Sequence, residues 1–249
     1  MTKLFPLSVI ALLTGLSTAA SAASLDVHGE IKVNGKTVID AKGNLIQDQS
    51  DLINIDDYAN AVPNRIVTLA APVGEDGAVK VYKITYDETG RSYKEEDFYN
   101  NKLGWSIKWE DRTTTPPTHK RTVTNGWGDT TTTTSYKDEF TTSSSYPLAQ
   151  IGISMARSDI YTSTVIDSNQ PDLVVGSKIN NMDYQTLTVV DKTPFNMGET
   201  IIEDCIIVTY NASWMIDYET GAKKPDQIRT FCKGYGLVQF GDYKATSAE

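Results

Sequence analysis

Val79-Lys80-Val81-Tyr82-Lys83-Ile84-Thr85-Tyr86, followed at once by Asp87-Glu88-Thr89-Gly90, is the stretch that decides the fold. Residues of two characters alternate over eight positions, the period of a strand with two different faces. Val, Ile, Thr and Tyr favour a pleated, half-buried surface. The next four residues are turn formers, with an Asx side chain at the start and glycine at the end. One strand and one tight reversal are therefore legible without any long-range information.

The same signals recur downstream and upstream. Residues 65–70 carry Ile66, Val67 and Leu69, and Trp105, Ile107 and Trp109 share one face of the following strand. A Thr-rich stretch from Thr113 to Thr142 contains Asn125-Gly126-Trp127-Gly128-Asp129, which reads as the tip of a long hairpin. Further strands are expected over 162–166, 184–190, 200–214, 227–233 and 237–243. No long amphipathic helix is legible after residue 63. So many strands cannot remain a flat sheet, so the expected fold is mainly β, a curved antiparallel sheet forming a half-barrel or open barrel.

Before this body the pattern weakens. Residues 47–62 are acidic, with Leu52, Ile53, Ile55, Tyr58, Ala59 and Val62 spaced for a short helix that Ser50 could cap. Pro63 sets a boundary after them. Further upstream, Val27, Ile31 and Val33 precede Asn34-Gly35, a two-residue hairpin signal, and Thr37 to Ile39 begin the return strand. This small N-terminal β-hairpin is similar to the short repeats of bacterial surface and phage tail proteins. The expected organisation is an export signal at 1–22, a hairpin and linker at 23–62, and an antiparallel β domain at 63–249.

Lys3, the apolar run from Leu4 to Leu16 and the small-x-small pattern Ala20-Ser21-Ala22 read as an export signal cleaved near Ala22. The run is shorter than the ~20 residues of a membrane span, and Pro6, Thr14 and Gly15 interrupt it. With no cysteine near that point, no covalent membrane anchor is expected, and the mature chain belongs in the periplasm or outside the cell. A formal net charge of −9 argues against nucleic-acid partners and anionic lipid surfaces. Cys205 and Cys232 are the only cysteines, and in an exported chain two thiols read as one disulfide. The turn-like stretch Asp217-Tyr218-Glu219-Thr220-Gly221 lies midway between them, so a hairpin folded there sets them opposite each other.

Signals of catalysis are sparse. His28 and His119 stand in no zinc pattern, and there is no nucleophile elbow or phosphate loop. Glu95-Glu96-Asp97 imitates a glycosidase acid cluster but reads better as a solvated turn. Residues 48–57 lack the ligand alternation of a calcium loop. Thr130, Thr132 and Thr134 alternate with Thr131 and Thr133, a pattern that suits an exposed strand. Trp105 and Trp109 read as core, whereas Trp127, flanked by glycines at a hairpin tip, is the candidate binding residue.

In the last third, Gly198-Glu199-Thr200-Ile201-Ile202-Glu203-Asp204-Cys205-Ile206-Ile207-Val208 is followed by Arg229-Thr230-Phe231-Cys232-Lys233-Gly234-Tyr235-Gly236-Leu237-Val238. This ending resembles that of exported bacterial proteins of uncharacterised function, in which a "dCi.v" strand precedes a "G.GlV" hairpin. The resemblance implies a curved half-barrel similar to the periplasmic lipoprotein carriers, and it implies no catalytic residue. The expected role is non-enzymatic and cofactor-free: binding an apolar ligand or an envelope protein segment in the concave sheet face. A surface or adhesion component is the alternative, and a carboxylate hydrolase the third reading.

Overall fold

The computed structural model describes residues 29–33, 36–39, 41–42, 52–114, 117–127, 130–144, 148–216 and 220–249. The export signal, Ser50, the Asn34-Gly35 turn and the Asp217–Glu219 turn lie outside the described residues. The chain forms two compact units, 1–50 and 51–249. In the first, β1 (Ile31–Val33) pairs antiparallel with β2 (Lys36–Ile39).

The second unit opens with a single helical turn, α1 (Asp56–Ala59). The strands β3 (Ile66–Ala70), β4 (Lys80–Tyr86), β5 (Ser92–Tyr99) and β6 (Lys102–Thr114) follow. Next come β7 (Pro117–Asn125), β8 (Thr132–Ser143), β9 (Ser154–Ser168) and β10 (Lys178–Lys192). A small hairpin, β11 (Phe195–Met197) and β12 (Thr200–Ile202), interrupts the series. It resumes as β13 (Cys205–Ala212), β14 (Gln227–Cys232), β15 (Gly236–Phe240) and β16 (Tyr243–Ala248).

β3 to β10 and β13 to β16 form one closed antiparallel barrel of twelve strands, not the half-barrel or open barrel expected. Closure is made by the final strand: Ala245 pairs with Leu69, Ala248 with Val67, and Ile66 and Glu249 exchange backbone hydrogen bonds of 2.9 and 3.0 Å. The polar ending Tyr-Lys-Ala-Thr-Ser-Ala carries no strand signal of its own, yet it removes both free edges of the sheet.

Register identifies the inner face. Leu69 stands opposite Tyr82, Tyr82 opposite Asp97, Asp97 opposite Trp105, and Trp105 opposite Asn125. On the other side of the wall Val189 faces Val208, Val208 faces Arg229, Arg229 faces Phe240, and Phe240 faces Tyr243. Leu69, Val189 and Val208 are fully buried, which in a closed barrel makes this face the interior.

Three sequence expectations change here. Glu95-Glu96-Asp97 is the middle of β5 rather than a solvated turn: Glu95 and Asp97 point inward, and Glu96 pairs outside with Lys94. The compact unit begins at Asp51, not at 63. Ile53, Ile55 and Tyr58 are buried against Leu187, Val189, Ile206 and Val208, because an open barrel end exposes apolar wall that this segment covers. The Thr-rich stretch forms barrel wall, with Thr134 buried, rather than a hairpin standing free.

The disulfide expected from the sequence is present. Cys205 and Cys232 are register partners on β13 and β14, and both are fully buried beside Phe195, Met197 and Ile202 of the β11–β12 hairpin. The outer wall over β5 to β8 carries Lys94–Glu96, Lys108–Glu110 and Lys137–Glu139 pairs at two-residue spacing. Such charges are costly against lipid, so this part of the wall is built for water.

Candidate functional site

The two barrel ends differ. At one end, residues 52–65 cross between four loops and act as a strap. Ile53 and Ala149 exchange hydrogen bonds of 2.8 Å, the Tyr58 hydroxyl donates to Asp204 at 2.8 Å, and Val62 N–H donates to Gly234 O at 2.9 Å. Ala61 N–H reaches Gly90 O at 2.9 Å, and a Cβ on Gly90 would come within 2.2 Å of Ala61 O. That contact and a φ of +81° make glycine necessary at position 90. The strap fills its end of the interior with Ile53, Ile55, Tyr58 and Ala61.

At the far end the inner wall is aromatic and only half-buried. Trp105 lines it from β6, with Tyr82, Phe240 and Tyr243 on other strands. Ile107 continues the same face toward Trp109, which lies under Arg112, and Arg112 reaches Asp87 in the turn beside the strap. Phe240 stacks on Tyr243 with centroids 4.8 Å apart, and Tyr82 meets Phe240 edge-on at 4.7 Å. Two acids lie among these rings. The Tyr82 hydroxyl and Ser92 Oγ donate to Glu95, and the Tyr243 hydroxyl donates to Asp97 at 3.3 Å. Burial, then the Asp97 charge, pushes the Tyr243 phenol up to about 12. Burial likewise raises the Asp97 carboxyl above the usual carboxylate range, although its bond from Tyr243 opposes this.

Trp127, the residue singled out by sequence, lies on the rim at this end and is 54 % exposed. Its indole covers Gly104, where a Cβ would come within 2.3 Å of the ring, and it meets Tyr99 edge-on at 6.2 Å. Together with Lys102 and Leu103 they line a shallow hollow of about 370 Å³. Gly128 and Asp129 lie outside the described residues. Trp105 and Trp109, read as core, line the interior without being sealed in it. Their alternation with outward polar residues was legible, but their half-burial depends on barrel diameter, which no local pattern encodes.

Sequence reasoning missed the polar cluster inside β7 to β10. Asp138 is fully buried and accepts bonds from His119 Nε2 at 2.9 Å, Arg121 Nε at 2.7 Å and Ser163 Oγ at 2.6 Å. The assignment of the proton to His119 Nε2 follows from the acceptor-only carboxylate. Burial opposes ionisation of Asp138, but these donors and the Arg121 charge overcome it and hold the pKa down at about 2. Nearby, Tyr161 donates to Asp183 at 2.8 Å and Asn181 to Ser163 at 2.8 Å. Ser163 is bonded to the carboxylate and not to the imidazole, so the three groups do not make a nucleophile–base relay. Among the described residues no group of three or more His, Cys, Asp or Glu could hold a metal ion.

No protein-family model matches the chain, and no curated protein or solved structure matches it either.

Proposed function

We propose that the barrel is a non-enzymatic binding protein of an oxidising compartment outside the cytoplasm, holding an apolar small molecule against the aromatic inner wall at its unstrapped end. The observation that carries this reading is the asymmetry of the interior. Fully buried aliphatic side chains and the strap fill one end, whereas Trp105, Tyr82, Phe240 and Tyr243 stay half-buried toward the other. Large apolar rings left partly wetted on a concave surface gain from a ligand that completes their burial. The buried Cys205–Cys232 disulfide agrees with an exported location. The hydrolase reading loses support because Glu95 and Asp97 are each tied to a tyrosine hydroxyl.

Native mass spectrometry of the protein purified without detergent from its own cell envelope tests this reading. A small-molecule adduct carried by the wild type and lost in Trp105→Ala, at an unchanged melting temperature, supports it. The bare chain mass in the wild type overturns it.

A further inference from the structure

Arginines that face the barrel interior have their acids close by. Arg121 bonds Asp138, and Arg157 bonds Asp159 at 2.8 Å. Arg229 is different. Its guanidinium lies 3.5 Å over the Tyr210 ring, and Nη2 donates to Gln227 Oε1 at 3.2 Å. Its Nε is buried without a hydrogen-bond partner, as is that of Arg65, which stacks on Tyr235 beside the strap and donates to Gly234 O. Among the described residues no carboxylate forms an ion pair with it. Glu95 and Asp97, the acids beside Tyr82 on the facing wall, already accept from Tyr82, Ser92 and Tyr243.

A guanidinium stacked on one ring keeps its in-plane N–H groups aimed sideways, where an anion can take them in a fork. Register places Arg229 opposite Phe240, which stacks on Tyr243, so the side chain stands among flat rings near the unstrapped end. A buried N–H without a partner is rare in folded proteins, and of the two side-chain cases among the described residues only that of Arg229 lies near the unstrapped end.

We infer that Arg229 is the anion-binding residue of the barrel, and that the ligand is an anion with a flat apolar body. Its charged group sits on the Arg229 guanidinium and its body lies against Phe240, Tyr243 and Tyr82. This rests on the reading that the interior at the unstrapped end binds a ligand. A chain with a net charge of −9 repels anions at long range, so affinity for one has to come from a local cation.

Two fluorescent dyes with the same ring framework separate the effects: 1-anilinonaphthalene-8-sulfonate, an anion, and neutral N-phenyl-1-naphthylamine. Arg229→Gln should weaken the sulfonate about tenfold or more, the usual scale for losing a charge-assisted bond, and leave the neutral dye within about twofold. Arg229→Lys, which keeps the charge but not the fork, should fall between them. Cooperative melting of each variant excludes dye uptake by a loosened fold. If both dyes weaken equally, or the sulfonate is unaffected in Arg229→Gln and Arg229→Lys alike, the anion assignment is overturned while ligand binding stands. If the wild type binds neither dye, both readings fall.

Discussion

Cys205 stands directly opposite Cys232 across the β13–β14 ladder, with 4.0 Å between their Cα atoms. The bridge therefore joins two strands that already pair, and it closes a loop between cysteines 27 residues apart in sequence. Its main effect is on the unfolded chain, whose freedom it restricts. Cys205→Ser should lower stability by about 2–5 kcal/mol, read from denaturant unfolding. Labelling of the unfolded, unreduced wild type should find no free thiol; two reactive thiols would contradict the pairing.

The strap gives a second expectation. A chain lacking residues 1–50 should melt cooperatively and close to the wild type, because the compact unit starts at Asp51. Removing residues 1–62 should abolish the cooperative transition, since Ile53, Ile55, Tyr58 and Ala61 leave the core. Equal melting of the two truncations would show that the strap is dispensable.

Gly90 tests the same strap at one atom. Gly90→Ala places a methyl group against Ala61 O in a left-handed backbone, and should cost more than about 2 kcal/mol. Gly152→Ala, at a φ of +82° with nothing within 4 Å, carries only the backbone strain and should cost about 1 kcal/mol. Equal losses in thermal melts would show that Gly90 serves the turn alone.

Asp138 sets an acid limit. Its pKa is depressed in the fold, so it stabilises above the unfolded value and that stability is lost as the pH falls through the folded one. The window runs from about pH 4 down to about pH 2, and the contribution is about 2 kcal/mol. Asp138→Asn should flatten the stability profile across that window. Arg121→Met, which leaves the carboxylate buried with fewer partners, should cost about 3–5 kcal/mol at pH 7. An unchanged acid profile in Asp138→Asn would place the acid sensitivity elsewhere.

Much of the wall is legible in the sequence. The alternation at 79–86 and the turn at 87–90 give β4 and its reversal, and the pairing of Cys205 with Cys232 matches the register expected from their spacing. What stayed hidden depends on partners far apart in sequence. β16 has the composition of a polar tail and becomes a strand only because β3 and β15 offer it ladders on both sides. The acids of β5 look solvated until Tyr82 and Tyr243 are placed beside them. Ile53 and Ile55 look like linker residues until a barrel end needs covering. Arg229 carries no local signal of its proposed role, since that role rests on Tyr210, Gln227 and the absence, among the described residues, of an ion-paired acid.

The central claim, a ligand held by the inner wall at the unstrapped end, is tested most directly by the indole N–H signals of the tryptophans. Each signal can be assigned by Trp→Phe substitution and followed by heteronuclear NMR during titration with N-phenyl-1-naphthylamine. The account predicts a saturable shift of the Trp105 indole, with the Trp109 indole, which lies toward the strap, and backbone signals of strap residues 53–62 less affected. Saturable binding that moves the strap but not the Trp105 indole, or no binding at all, would contradict it.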